Sequence, residues 1–154
     1  MNRWDMFERL FASVLAVVQP FIIYFLYGDN NAISRSWDTP LQPLFIITNA
    51  LVSFFFFKMP KWRIPAILLL LLTSFSVTDH FVLHNIFAVS FFIFSAVSLW
   101  SIKKFRYYFF IFLLTAIFLF DGLFWAETWG ILSLVFYHTH LTIYRYLLDI
   151  RSQK

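Results

Sequence analysis

Cysteine is missing from all 154 residues. Its absence excludes disulfides, thiol nucleophiles and cysteine-ligated metal centres, and leaves the compartment open. Charge is scarce: 13% of the residues are Asp, Glu, Lys or Arg, about half the share found in a soluble domain. With only three glycines, the chain has no Gly-rich loop to cradle a phosphate. It also lacks the alternating strands of about ten residues that would build a transmembrane barrel. What takes their place is apolar. Hydrophobic residues make up 61% of the chain and aromatic residues 23%, including 23 phenylalanines. A soluble domain of this size could not hide so much apolar surface in one core, whereas lipid accepts it.

The net charge of +4 does not point to nucleic acid. A nucleic-acid face gathers its basic residues on one element. Here they sit in small groups between apolar runs, as membrane proteins carry them.

Six such runs can be marked, at about Phe7–Tyr27, Pro43–Phe57, Ile64–Val77, Phe81–Ile102, Tyr107–Phe124 and Thr128–Leu148. Crossing a bilayer core of about 30 Å takes roughly 20 helical residues. The second and third runs fall short. Trp37, Lys58, Trp62 and Arg63 at the headgroups, with Thr78 and Asp79 extending the third helix to 64–78 and beyond, are expected to make up the difference. The runs are continuous, which selects helices. The expected fold is all-α, a single-domain transmembrane bundle of six helices.

Charge sets the orientation. Arg3 and Arg9 precede the first run; Lys58, Lys61 and Arg63 follow the second; Lys103, Lys104 and Arg106 follow the fourth; Arg145, Arg151 and Lys154 end the chain. With six crossings these groups share one side, and of the 12 basic residues only Arg35 falls on the other. The positive-inside rule makes that side cytosolic, with both termini there. The first run is too long for a signal-peptide core and no small-x-small cleavage site follows it. Pro20 is expected to kink it. The longest loop, Gly28 to Gln42, lies outside. A compact chain without a dilysine signal at Ser152-Gln153-Lys154 favours a bacterial inner membrane, with an endoplasmic reticulum or Golgi membrane as the alternative.

The acids and histidines are distributed unevenly. Asp5, Glu8 and Asp149 lie at the cytosolic ends. Asp29, Asp38, Asp79, Asp121 and Glu127 all fall on the outer side, and His80 and His84 flank the turn between the third and fourth helices. A site, if present, opens outward. Glu127 and His138 are eleven apart, three turns plus about 20°, so they share one stripe with Ser133 and Thr142 nearby. His138 then lies about 16 Å deeper than Glu127, and a polar stripe at that depth should face the bundle. His140 points to the opposite face. Each of these residues also has a plain reading. A membrane histidine often only hydrogen-bonds a neighbouring helix, and Asp79, Asp121 and Glu127 can be helix caps or interface charges. The Phe54–Phe57 run and the tryptophans read as lipid-facing bulk and interface anchors. Arg35 could hold a lipid phosphate or pair with Asp38.

Zinc has candidate ligands in Asp79, His84, Glu127 and His138, without a close pair on one helix face. A haem between helices needs two histidines at matching depth, and His84 and His138 do not match. The repeats and broken helices of a transporter are not visible. No cofactor is predicted.

Two segments carry a resemblance. The stretch Asp79-His80-Phe81-Val82-Leu83-His84-Asn85-Ile86-Phe87 through Ser95-Ala96 resembles the fourth-helix region of the Frag/DRAM/Sfk superfamily, which includes the GPI-anchor lipid-remodelling factor and the amino-terminal part of the ceramide-remodelling protein Cwh. There an acidic residue and a histidine open a Phe-rich helix ending in Ser-Ala. The last helix, Ala126-Glu127 through Tyr137-His138-Thr139, is similar to the family's Glu followed eleven residues on by His. Ile33-Ser34 leading to Pro40 looks like its first lumenal loop. About a quarter of the chain matches in detail, and members are usually longer. The resemblance implies a six-helix protein handling acyl chains or ceramide at the non-cytosolic leaflet, with Ser34, His84, Glu127 and His138 as the residues carried over.

Three functions are therefore expected in order. The first is lipid handling in an outward polar cavity, with membrane lipid as partner. His138 or His84 would act as base, Glu127 would orient it, and Ser34, Arg35, Asp79 and Asp121 would bind substrate. The second is a non-catalytic subunit or scaffold for a protein partner in the membrane. The third is a metal-dependent hydrolase of the alkaline-ceramidase type.

Overall fold

A computed structural model describes residues 3–28 and 32–152. Asp29 and the chain end at Gln153-Lys154, both used in the sequence reading, lie outside the described residues. The architecture is all-helical, with no strand among those residues. Six α-helices follow one another: α1 Arg3–Tyr27, α2 Gln42–Phe57, α3 Arg63–Ser74, α4 Phe81–Trp100, α5 Tyr107–Leu114 and α6 Leu123–Ser152. A 3-10 stretch, Thr115–Phe120, continues α5. A second one, Ile33–Asp38, lies between α1 and α2. Each helix packs on the next in sequence and α6 closes back onto α1. Two helices, Arg3–Tyr27 and Phe81–Trp100, are long and apolar enough to cross a membrane.

The boundaries differ from expectation in physically readable ways. The first helix starts by Arg3, so Arg9 lies inside it. Thr78 and Asp79 do not extend α3, which ends at Ser74. The Ser76 hydroxyl accepts the backbone N–H groups of Thr78 and Asp79 at 3.0 and 3.1 Å, a turn that competes with helix. Gly28, at φ 72°, ends α1 in the left-handed conformation, and its N–H bonds the Tyr24 carbonyl at 2.8 Å, as helix-terminating glycines do.

The aromatic residues also divide otherwise than expected. Phe54 and Phe57 face outward, but Phe55 and Phe56 are buried. Four consecutive residues encircle a helix, so about half of such a run must point inward. Trp62 is not an interface anchor; it is 1% exposed. Its indole lies in the main core with Phe56, Leu69, Leu99, Phe105 and Tyr137.

The bundle has an apolar core and an apolar outside as well. Large apolar side chains cover its outside, from Phe25 on α1 to Phe120 beyond α5. Polar residues are buried too: Gln19, Thr48, Ser53, His84, Ser95, Thr128, Ser133, His138 and Thr142. Small residues make this possible. Ala12 and Ala16 are buried on α1, letting α6 approach closely. Gly130 on α6 has the Phe92 ring against it; a Cβ there would meet Phe92 Cε1 at 3.1 Å.

Candidate functional site

The buried polar groups concentrate where α1, α2 and α6 meet. Glu127 stands in the second turn of α6, facing the segment between α1 and α2. The backbone N–H of Ile33 donates to Glu127 Oε2 at 2.7 Å, and the Ser34 N–H bonds the same carboxylate. Two backbone donors aimed at one side chain tie the segment to α6. The segment is braced from within: Ser36 Oγ donates to the Ile33 carbonyl at 2.7 Å. Ile33 is buried beside Ile23, Phe45 and Phe124. The 3-10 stretch thus folds over one end of the bundle and is held there by α6.

Beneath it lies a cavity of about 60 Å³. Its polar groups are Gln19 from α1, Ser34, Asn49 from α2, and Glu127; the rest of its wall is Ala, Val, Leu, Ile and Phe. Gln19 is 3% exposed and its Nε2 finds no hydrogen-bond partner among the described residues. Elsewhere on α2 and α6, the hydroxyls of Thr48, Ser53 and Thr128 are likewise unpaired among the described residues. Buried polar atoms are normally satisfied, so these helices carry an unusual number of unused donors and acceptors.

A second cavity of about 40 Å³ lies further along the seam, lined in part by Arg9, Ser13, His138 and Thr142. Ala16, Val52, Phe56 and Val135 border both spaces and form the partition between them. The His138 ring stacks on Phe56 at 4.1 Å between centroids and meets Trp62 edge-on at 4.4 Å.

The predicted residues are therefore not one constellation. Glu127 and Ser34 come together at the first cavity. His138 shares their seam, but eleven residues of helix separate it from Glu127 by about 16 Å, so the carboxylate does not orient the imidazole. His84 lines neither cavity. It is 1% exposed, and its Nδ1 lies 2.8 Å from the Phe75 carbonyl. It ties the end of α3, where carbonyls lack helical partners, to the start of α4. Arg35, Asp79 and Asp121 are exposed. Arg35 borders a shallow outer groove with Asp38, Thr78 and Phe81. Asp38 accepts hydrogen bonds from the hydroxyls of Ser76 and Thr78, joining the 3-10 stretch to the α3–α4 turn. His140 faces Tyr107 and Tyr108. Among the described residues, no three His, Asp or Glu side chains gather as a metal site would require.

Sequence reasoning missed Gln19, Asn49, Arg9 and Ser13. The signal was present: an amide in the middle of an apolar run is expensive in a membrane and marks an inward face. No family model, curated protein or solved structure matches this chain.

Proposed function

We propose that this is a six-crossing integral membrane protein, with both ends cytosolic, that holds a membrane lipid in the cavity under Glu127. The outward apolar surface and the buried polar seam support the membrane setting, because a soluble chain could not leave so much large apolar area contiguous and exposed. The grouped basic residues support the orientation. The 12 residues of α3 rise only about 18 Å. The shortfall is tolerable where the polar turn after it, with Thr78, Asp79 and His80 exposed, lies at the headgroups and the bilayer thins to meet it.

One observation carries the lipid reading: the first cavity has polar groups from α1, α2, α6 and the capping segment, and an otherwise apolar wall. A headgroup or ester could take the unused Gln19 amide, with its chain between Phe-rich helices. The separation of Glu127, His138 and His84 favours a binding role over hydrolysis by an acid–base pair, since such groups must lie within hydrogen-bond reach. Protein purified from its own membrane into detergent should retain lipid detectable by native mass spectrometry, and Gln19→Leu should lose most of it while staying folded. Unchanged retention in that variant would overturn the reading. Loss of folding in Gln19→Leu and Asn49→Leu alike would favour a scaffold whose polar seam only fixes packing.

A further inference from the structure

The second cavity has a chemistry of its own. Its polar lining is Arg9, Ser13, His138 and Thr142. All of these can donate a hydrogen bond, and none is an acid. Asp5 and Glu8, on the same helix, act on Arg9, as does Arg145 from α6, which also acts on His138. Of these charged residues only Arg9 lines the space. His138 is 8% exposed, and its Nε2 is buried without a partner among the described residues. The imidazole cannot turn away to satisfy that nitrogen, because Phe56 covers one face and Trp62 abuts it. The rest of the polar lining is a guanidinium and two hydroxyls, with no carboxylate in the wall to compete for them. The cavity lies two to three turns from the start of α1 and toward the basic end of α6, the end where anionic headgroups of the cytosolic leaflet collect.

We propose that this cavity is an anion site that takes the phosphate of an anionic phospholipid from the cytosolic leaflet. Arg9 supplies the charge, which a guanidinium can deliver to two phosphate oxygens at once. Ser13 and Thr142 supply neutral donors, and the His138 ring forms part of the wall. The acyl chains leave between α1 and α2 past Ala12 and Phe55, which also line the space. The site is separate from the one under Glu127 and shares with that reading only the orientation of the chain.

The test is lipid retention by the whole protein in detergent. Native mass spectrometry follows titration with phosphatidylglycerol, phosphatidylcholine or inorganic phosphate. Phosphatidylglycerol should bind more tightly than phosphatidylcholine. Arg9→Gln should weaken it about fivefold, the worth of one basic residue at an anionic surface. Ser13→Leu, which fills the space and leaves every charge in place, should weaken it at least as much, and Gln19→Leu should leave it unchanged. Both Arg9 and Ser13 are only partly buried, so these variants can be compared as folded proteins. Competition by millimolar phosphate that depends on Arg9 would keep the anion site and name free phosphate as its ligand. Equal binding of the two lipids, or loss in Gln19→Leu but not in Arg9→Gln, would overturn the proposal.

Discussion

Ile33 gives its backbone N–H to Glu127 Oε2 at 2.7 Å, across 94 positions of sequence. The carboxylate accepts from main chain, not from a basic side chain, so its role does not depend on a partner that mutation could supply elsewhere. It fixes where the capping segment sits and therefore how the first cavity is closed.

Replacing Glu127 with Leu keeps the bulk and removes the acceptor. The expected loss is about 1–3 kcal/mol, the penalty for leaving the buried Ile33 N–H unpaired. Residues 32–38 should exchange their amide hydrogens faster, while α3 and α4 keep their protection. Unaltered exchange in 32–38 would show that the carboxylate does not hold the segment.

His84→Ala should cost stability without altering lipid retention. The variant strips the Phe75 carbonyl of its side-chain partner and leaves a small void, together worth about 1–3 kcal/mol. Thermal unfolding in detergent reads the first effect and native mass spectrometry the second. A selective loss of lipid at unchanged melting temperature would return His84 to the site.

Asp38→Asn should loosen the α3–α4 turn. Its two carboxylate bonds, to Ser76 and Thr78, would each weaken, and exchange at residues 76–80 should accelerate. The groove beside Arg35 should change with it, because Asp38, Thr78 and Arg35 line the same space.

Gly130→Val should destabilise the bundle by about 1–3 kcal/mol through overpacking. Trimming the opposing ring in a Gly130→Val, Phe92→Leu double variant should recover part of that loss. No recovery would mean that the two positions do not press on each other.

The missing cysteines make topology measurable without background. Single cysteines at Asp79 and Asp121 should react with a membrane-impermeant reagent from outside intact cells. Cysteines at Lys104 and Arg151 should react only after the membrane is opened. The opposite pattern would reverse the orientation and remove the cytosolic placement of Arg9.

Long apolar runs were legible as helices, with one exception. The run Tyr107–Phe124 was expected as a single helix, but it is α-helical only to Leu114, continues as 3-10 helix to Phe120, and breaks at Asp121-Gly122 so that Phe124 falls in the next helix. Phe81–Trp100 and the body of α6 emerge from the sequence nearly as they stand, because little competes with helix there. The end of α3 was not legible: Ser76 redirects the backbone through its hydroxyl, a local choice that hydropathy does not register. Trp62 and Phe56 were read as outward because aromatic residues beside lysines are common at interfaces. In the structure they pack on each other and on Tyr137 and His138, a partnership that hydropathy does not register. Glu127 was found from its spacing, but its partner is main chain, which no side-chain pattern reveals. Arg9 was assigned to a rim because basic residues near a terminus usually lie there. Its position inside α1, one turn before Ser13, is what turns it toward the cavity.

Ala16, Val52, Phe56 and Val135 line both cavities, so the two spaces have one wall in common. Phe56 is the largest side chain of that wall, and it is also the ring on which His138 rests. Because Phe56 borders both cavities, a swing of that single ring would reshape both at once, so what happens in one is felt in the other through a stacking contact between two aromatic rings.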